Sequence, residues 1–327
     1  MDLLDRLRLD VPVVQAGMGG GLAGPELAAA VADAGGLGTL GLAAVTELRE
    51  SIAHVRDVAP DRAVAVNLLT PFLRRSHVSA CVDERIDVAV VAFGGDRELV
   101  EQLRAAGIFV FVMVGTQEQA RRAIGWNADG LIAQGVEAGG HLSGTTQALQ
   151  FLPRATAVAD GRPVLLAGGV ASGADTQAAL AAGASGVVAG TRFLLTTESR
   201  AHPEYQRRVL AADRTFSTTL FGLGWPAPHR VIPNAATERW CHPDGTAKAV
   251  TRAITRGSAI LAKLPATTAA VRLQHSRLPM FSPIAPTAGM PASAVDRAAC
   301  YAGESALRMT SVTSARHAVA DLSPGGQ

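Results

Sequence analysis

Residues Pro163-Val-Leu-Leu-Ala-Gly-Gly-Val170 and Gly186-Val-Val-Ala-Gly-Thr-Arg192 each begin with a short apolar run that ends in glycine. Between them, Ala174 to Ala182 has a helical pattern, and Ser172 with Asp175 three residues later predicts a capping box at its start. A strand, a helix and a second strand in this order predict two parallel strands. The glycine after each strand predicts exposed backbone amides at the strand end.

The same alternation runs through the preceding chain. Together with the two runs above, it predicts eight strands: Val11 to Gln15, Leu37 to Leu42, Ala63 to Leu68, Asp87 to Ala92, Ile108 to Val114, Gly130 to Ala133, Pro163 to Ala167 and Gly186 to Ala189. Helical patterns between them include Pro25 to Ala34, Val45 to Val58, Glu98 to Ala106 and Gln117 to Ile124. Eight such units predict an α/β fold of the (β/α)8 TIM-barrel type, with its active site at the carboxyl ends of the strands.

The pattern changes near Thr215, where the chain becomes rich in Pro and Trp. We therefore predict a barrel over residues 1–214, a smaller inserted lid or substrate domain over 215–299, and a C-terminal helix returning to the barrel over 300–327. Trp225, Trp240 and Phe281 of the insert are expected to pack within the small domain or to line a substrate cavity.

Composition narrows the function. The chain has 327 residues, of which 48% are hydrophobic and 18% charged, so it can bury a large core. A net charge of +2 with scattered basic residues argues against nucleic acid or an anionic membrane as partner. The acidic start and the lack of a long apolar run predict a cytoplasmic protein. The cysteines Cys81, Cys241 and Cys300 are too few and too far apart for a disulfide framework or zinc site, and no metal is expected.

Two neighbouring loops are the predicted phosphate site. The seventh strand ends in Gly168-Gly169, and the eighth ends in Ala189-Gly190-Thr191. Loops after strands seven and eight of such barrels hold phosphate, because bare amides and a helix N-terminus favour an anion. The alternative is that these glycines only make tight turns.

The first loop also fits a dinucleotide fingerprint, Gly19-x-Gly21-x-x-Gly24. That fingerprint requires an acid at the end of the next strand, and Leu37 to Leu42 ends without one. The barrel interpretation is favoured, in which this loop and Met18 lie against a flat ring system.

Three polar residues lie at or after the ends of predicted strands. Asn67 and Gln134 can donate and accept, so each either contacts the edge of an isoalloxazine ring or holds a loop. His141, behind two glycines, is the predicted general base, with an unperturbed pKa near 6.5. Glu137 is interpreted as an acceptor for backbone amides. The absence of a serine-centred elbow around Ser143 disfavours a hydrolase.

The chain resembles the nitronate monooxygenase family, formerly called 2-nitropropane dioxygenases, over Pro12 to about Arg208 and again at 301–305. The motifs that carry the resemblance are Gln15-Ala-Gly-Met18, Ala34-Gly-Gly-Leu-Gly38, Val66-Asn67, Glu137-Ala-Gly-Gly-His141, Ala167-Gly-Gly-Val170, Gly190-Thr-Arg-Phe193 and Tyr301-Ala-Gly-Glu-Ser305. It implies an FMN-dependent (β/α)8 oxidoreductase with an inserted domain.

By this resemblance, His141 takes the acidic carbon proton of a nitroalkane. The nitronate then gives one electron to FMN, and O2 completes the conversion to a carbonyl compound and nitrite. The implied cofactor-contacting positions, with the two phosphate loops, are Gly17, Met18, Asn67, Gln134, Gly139, Gly168, Gly169, Ala189, Gly190 and Thr191. A homodimer is kept as one alternative for the assembly.

Two positions depart from the family pattern. Glu304 stands where members often carry Gln, and Leu142 stands where Arg often follows the histidine. The motifs are also similar to flavin-dependent enoyl-[acyl-carrier-protein] reductases and NAD(P)H:quinone reductases, so reduction by NAD(P)H is an alternative. A non-catalytic protein that binds flavin or another phosphorylated ligand is a third.

Overall fold

Eight parallel strands form the centre of the molecule in a computed structural model that describes residues 3–258 and 274–325. The strands are β1 (Val13–Gln15), β2 (Thr39–Leu40), β3 (Ala65–Leu69), β4 (Val88–Ala92), β5 (Phe109–Val114), β6 (Gly130–Gln134), β8 (Val164–Ala167) and β9 (Gly186–Ala189). Each pairs in parallel with the next, β9 pairs with β1, and a parallel bridge between Val14 and Leu37 joins β1 to β2. This is a TIM barrel, so the predicted fold class is confirmed.

All eight predicted strands are present, but several are shorter than their apolar runs. The prediction for the second strand was Leu37 to Leu42, whereas regular pairing covers only Thr39 and Leu40. Leu40 lies in the strand and Leu37 lies before it, but both are buried. The apolar run is therefore longer than the paired segment. The dinucleotide-fold alternative is wrong, because a strand sheet closed into a barrel has no crevice between two sheet halves.

The helices of the described residues lie around the barrel and in the segment after residue 215. They are α1 (Leu3–Leu7), α2 (Pro25–Asp33), α3 (Val45–Val58), α4 (Arg75–Asp83), α5 (Arg97–Ala105), α6 (Gln117–Gly125), α7 (Ala148–Val158), α8 (Gly173–Ala181), α9 (Thr191–Leu194), α10 (Pro203–Leu210), α11 (Ala235–Trp240), α12 (Ala249–Gly257) and α13 (Ala315–Leu322). The predicted capping box of α8 is present, with Asp175 accepting from the amide of Ser172 at 2.9 Å. The helix after β9 has only four residues, and α13 packs against α2 and α8 on the same side of the barrel.

The strands separate two apolar layers, because successive side chains point to opposite faces. Val88 and Val90 of β4 lie in the cluster inside the barrel, while Ala89 and Val91 lie in the larger cluster beneath the helices. Phe111 fills the interior, and a side chain on Gly130 of the neighbouring strand would collide with its ring. The barrel is therefore a packed core with its free surface at the two ends.

A small antiparallel sheet lies at the carboxyl end of the barrel. It joins β10 (Phe216–Thr218) and β11 (His229–Val231) to β7 (Gly140–His141), the loop strand that follows β6. In this sheet His229 is paired with His141, and Arg230 with Gly140. The segment that follows Thr215 thus contributes directly to the end of the barrel where the candidate site lies.

None of the described helices is long and apolar enough to cross a membrane. Cys81, Cys241 and Cys300 are free and buried. Within residues 3–258 and 274–325, no group of His, Cys, Asp or Glu side chains is arranged to hold a metal ion.

Candidate active site at the carboxyl ends of the strands

His141 lies above the barrel on β7 and is only 8% exposed. Gln134, the last residue of β6, holds this loop: its amide nitrogen donates to the carbonyl of His141 at 2.9 Å, and its amide oxygen accepts from the amide of Ser143 at 2.7 Å. Of the two roles considered for Gln134, loop holding is the one that these bonds perform. Its side chain thereby sets the position of the histidine backbone.

Aromatic rings enclose the His141 imidazole. The indole of Trp225 stacks on it, with centroids 3.6 Å apart and planes inclined by 11°. Phe93 presents its edge to both rings, at 6.0 Å from His141 and 5.0 Å from Trp225. The rings of Tyr301 and His229 also pack beside the imidazole, at centroid distances of 5.5 and 5.1 Å. The base candidate is thus enclosed by four residues from three separate parts of the chain.

His229 is locked in its neutral form. Its Nδ1 lies 3.0 Å from the carbonyl oxygen of Ala227, to which it donates, and its Nε2 accepts from the amide of Phe221 at 3.2 Å. A second proton would face the Phe221 N–H, and burial penalises the cation, so the pKa of His229 is lowered to about 4. His229 is therefore a neutral wall of the site and has no lone pair free for substrate.

Burial also lowers the pKa of His141 well below 6.5, and neighbouring His229 lowers it further. The unperturbed value of 6.5 therefore does not apply to His141, because rings from other loops remove water from the imidazole. His141 is consequently neutral at neutral pH. Its Nε2 is buried and has no hydrogen-bond partner among the described residues.

Asn67 lies against the first loop, at the mouth of the barrel. Its amide nitrogen donates to the carbonyl of Gly17 at 3.0 Å, while its Oδ1 is buried and has no partner within residues 3–258 and 274–325. A side chain on Gly17 would collide with Asn67, which explains the glycine. Met18 follows and is half-buried against the barrel exterior. The geometry leaves Asn67 one unused acceptor, so it holds a loop and can also receive a ligand N–H.

Three glycines after β8 and β9 offer free amides. Gly168 and Gly169 have φ values of 120° and 73°, which only glycine adopts without strain. Within the described residues, the N–H groups of these two and of Gly190 donate to no protein acceptor. A side chain on Gly190 would meet only the Ala16 methyl group, at 3.7 Å. Neighbouring unsatisfied amides of this kind favour an anion.

Thr191 and Gly139 face a different partner. The Thr191 hydroxyl accepts from the amide of Gly303 at 2.9 Å, and Gly139 packs so closely on the 302–303 backbone that no side chain fits there. The Thr191 hydroxyl and the close packing at Gly139 thus hold the 301–305 segment in place. Ala189 is buried at the end of β9, where its carbonyl accepts from the amide of Ala16.

Glu137 caps helix α7. Its Oε1 accepts from the amide of Ala148 at 2.8 Å, which confirms the predicted role as an acceptor for backbone amides. Its Oε2 is buried and unpaired. The side chain passes beside the Gly168-Gly169 turn, since a side chain on Gly169 would meet the Glu137 Cγ at 3.2 Å.

The two departures from the family pattern have structural partners. Glu304 forms an ion pair with Arg230 at 3.2 Å, and the Arg230 Nε donates to the carbonyl of Val136 at 2.9 Å. Leu142 is buried at 7% exposure, and its amide donates to the carbonyl of Pro228. Because neighbours on a strand point to opposite faces, Arg230 extends away from the face that His229 shares with His141.

Unsatisfied buried atoms concentrate here. Six buried side-chain N or O atoms have no partner among the described residues, and five of them lie at this end of the barrel: Thr39 Oγ1, Asn67 Oδ1, Glu137 Oε2, His141 Nε2 and Ser143 Oγ. Each costs about 1–3 kcal/mol unless something pairs with it. Their clustering indicates a site that a polar ligand completes.

Sequence reasoning missed several wall residues. Trp225 was expected chiefly to pack within the small domain, but it stacks on His141; Trp240 and Phe281 do pack there. Phe93 and His229 drew no prediction. Phe93 follows an apolar strand and precedes two glycines, a signal that could have marked it.

The comparisons agree with this architecture. The family model described as nitronate monooxygenase matches residues 2–80 and 62–325. A (3aS,4S,5R,7aS)-5-hydroxy-7a-methyl-1-oxo-octahydro-1H-indene-4-carboxyl-CoA dehydrogenase from Rhodococcus jostii is 39% identical over 68% of this chain, and the match spans 62% of that protein's length. A nitronate monooxygenase from Pseudomonas aeruginosa is 32% identical over 70% of this chain and 78% of its own. The structure of a nitroalkane oxidase from Streptomyces ansochromogenes is similar with a TM-score of 0.76, at 28% identity over 98% of this chain and 96% of that one.

Proposed function

The chain belongs to the nitronate monooxygenase family and is an oxidoreductase of that type, and we propose that it binds FMN and oxidises nitronates and nitroalkanes with O2. The products are a carbonyl compound and nitrite. The observation that carries the proposal is the buried, unpaired Nε2 of His141 among the other unsatisfied polar atoms at the mouth of the barrel.

The residues present fit a flavin phosphate ester. The unpaired Oδ1 of Asn67 suits a ring N–H, and the free amides of Gly168, Gly169 and Gly190 suit a phosphate. Gly17 and Met18 would lie against the ring system, and Gly139 and Thr191 would hold the 301–305 segment beside it. When bound, the flavin supplies the electron-transfer and oxygen chemistry that no side chain of the site can perform.

His141 would accept a proton from the carbon that carries the nitro group. The C–H bond breaks, its electron pair stays on the substrate as the nitronate, and the proton moves to Nε2. A low pKa keeps the imidazole in its neutral, accepting form well below neutral pH. The weaker base that results is offset as the anion forms, because a nitronate beside the imidazolium stabilises the charged pair in a water-poor site.

Residues 215–299 would act as an inserted substrate domain, since Trp225 and His229 of this segment wall the imidazole. Thr215 itself accepts from Arg230 at 3.1 Å. We propose the division near residue 215 on that basis, with 300–327 returning to the barrel through α13.

Anaerobic mixing tests the proposal. The purified holoprotein is mixed with a nitronate, and separately with NADPH or NADH, while the flavin absorbance is followed. Rapid bleaching by the nitronate and none by the nicotinamides is expected. Bleaching by a nicotinamide alone would replace the proposal with a reductase that uses NAD(P)H, and bleaching by neither would favour a non-catalytic binding protein.

A second candidate reaction is dehydrogenation of a fused-ring acyl-CoA thioester. It is favoured by the 39% identity to the Rhodococcus enzyme, against 32% to the Pseudomonas one, and by the apolar rings of Phe93 and Trp225 at the site. The same anaerobic mixing assay with a ring-bearing acyl-CoA distinguishes this reaction from nitronate oxidation. Bleaching by the thioester with none by a nitronate would favour this second reaction.

A further inference from the structure

We infer that Trp225 is a positioning residue for His141: its indole holds the plane of the imidazole and keeps water from the ring face, and it does not lie along the in-plane direction of Nε2. The inference rests on the proposed role of His141 as the base. It adds to that role a residue on the inserted segment that acts through the imidazole and takes no proton itself.

The stacking geometry supports a role for Trp225 in orienting the ring while His141 takes the proton. The lone pair of an imidazole nitrogen lies in the ring plane, whereas the indole covers the ring face at a centroid distance of 3.6 Å and an angle of 11°. The indole therefore does not stand in the direction along which Nε2 would take a proton. A proton must be taken over about 2.6–3.2 Å along that direction, so holding the plane decides whether Nε2 is aimed correctly.

Two phenylalanine rings pack against Trp225, and one of them has a strained backbone. Phe93, whose edge meets the indole at 5.0 Å, has a φ of 63°, an uncommon conformation for a bulky residue. Phe72 meets the indole edge-on at 5.5 Å from the 3-10 helix Thr70–Phe72 after β3. Aromatic residues are only 4% of this chain, so three such rings from three loops are not ordinary filling of an Ala-rich core.

The backbone around Trp225 restrains the ring as well. The Trp225 amide donates to the carbonyl of Gly222 at 2.9 Å, and its own carbonyl accepts from Ala227 at 2.8 Å. Gly224 has a φ of 82°, and its amide donates to the Ser258 hydroxyl at 2.8 Å. These bonds close a tight turn that projects the indole onto β7.

His229 and Tyr301, which also contact the imidazole, carry no charge at neutral pH. His229 on β11 is neutral, and Tyr301 donates its hydroxyl proton to the carbonyl of Pro283 at 2.9 Å and is likewise uncharged. The Arg230–Glu304 pair lies on the opposite face of the strand pair. Exclusion of water by the rings is therefore the main influence on the charge of His141 that Trp225 can alter.

An NMR titration of the full-length protein tests the inference. Histidine-labelled protein is titrated, and the His141 signal is assigned by its absence in His141→Gln. In Trp225→Ala, water reaches the ring, so the pKa of His141 should rise toward 6.5, and kcat for a neutral nitroalkane should fall about tenfold with little change in KM. Trp225→Phe should restore both. An unchanged or lower His141 pKa in Trp225→Ala would overturn the inference.

Two further variants keep the result interpretable. Trp225→Leu preserves an apolar cover without a flat face, so it should keep the pKa of His141 low and still lose kcat; full activity in this variant would contradict the positioning role. Trp240→Ala is the matched control, because the Trp240 Nε1 donates to the carbonyl of Ser276 away from the imidazole. If His141→Gln leaves turnover unchanged, the proposed function fails, while the titration still reports whether Trp225 shields the ring.

Discussion

Arg230 and Glu304 form an ion pair at 3.2 Å that ties β11 to the 301–305 segment. The arginine side chain is 10% exposed and the glutamate side chain 48%. Glu304, which stands where family members often carry Gln, is therefore the partner of a buried cation. Because Arg230 is the more buried of the two, its replacement is expected to lower the free energy of unfolding more than replacement of Glu304.

Replacing Glu304 by Gln should change the free energy of unfolding by less than about 1 kcal/mol, because half-exposed ion pairs contribute little. Arg230→Met should cost about 2–3 kcal/mol, since it leaves the carbonyl of Val136 without its donor. Urea unfolding of both variants and of the double variant checks this. A larger loss for Glu304→Gln than for Arg230→Met would contradict the structure.

Replacing His141 by Ala or Asn should leave FMN bound and lower kcat/KM for neutral nitroalkanes by about 10²-fold or more, the usual loss for a general base. Activity on preformed nitronates should suffer less, because their proton is already gone. Flavin absorbance after gel filtration and steady-state rates on both substrate forms provide the test. An equal loss on both forms would mean that the imidazole orients substrate or stabilises charge instead.

Gly190→Asp should empty the flavin site, because a carboxylate would stand where the phosphate is proposed to bind. Gly190→Ala is the matched control: φ is −104°, and the added methyl group meets only Ala16, at 3.7 Å, so folding should be preserved. Gly169 is a poorer test position, since its φ of 73° strains any side chain. The FMN content of the purified proteins is the measurement, and a yellow Gly190→Asp protein would count against the phosphate assignment.

The buried histidines should make the fold acid-sensitive. The pKa of His229 is about 4 in the folded chain and near 6.5 unfolded, so the unfolded state binds the extra proton first as pH falls. The stability is fully present above 6.5 and is lost between 6.5 and about 4. The loss from His229 is about 3 kcal/mol, and His141 adds in the same direction.

Urea unfolding across this pH window, compared with His229→Gln, tests the assignment. The glutamine oxygen can accept from Phe221 in place of Nε2 but does not titrate, so this variant should lose less stability on acidification. Parallel pH profiles for the two proteins would exclude His229 as the source.

The parts of the site that could be predicted are local. The eight apolar runs and the glycines after them place Gln134, His141 and Gly168 at or just beyond strand ends, because parallel strands bring their carboxyl ends to one side. Asn67, which was predicted at the end of the third strand, lies in the middle of β3. Glu137 could be recognised as an acceptor because the amide it caps lies only eleven residues away. In each case the signal and the structure that it predicts share a short segment.

The surroundings of His141 could not be predicted in this way. Trp225, His229 and Tyr301 come from the irregular segment and the C-terminal region, where periodicity carries no information about partners. Their contact with His141 depends on how β11 pairs with β7, a register set by the three-dimensional path of the chain. The lowered pKa of His141 could not be read from the loop motif either, since burial is a property of the assembled site.

The sequence by itself determined the barrel, the glycine loops and the histidine at its mouth, because alternating apolar runs and turn residues act over a few neighbouring positions. Only the tertiary structure decided that the imidazole is neutral, dry and stacked on Trp225, and that Glu304 neutralises Arg230 on the other face. Those properties arise when distant segments exclude water from one another, and no short stretch of the chain encodes them alone.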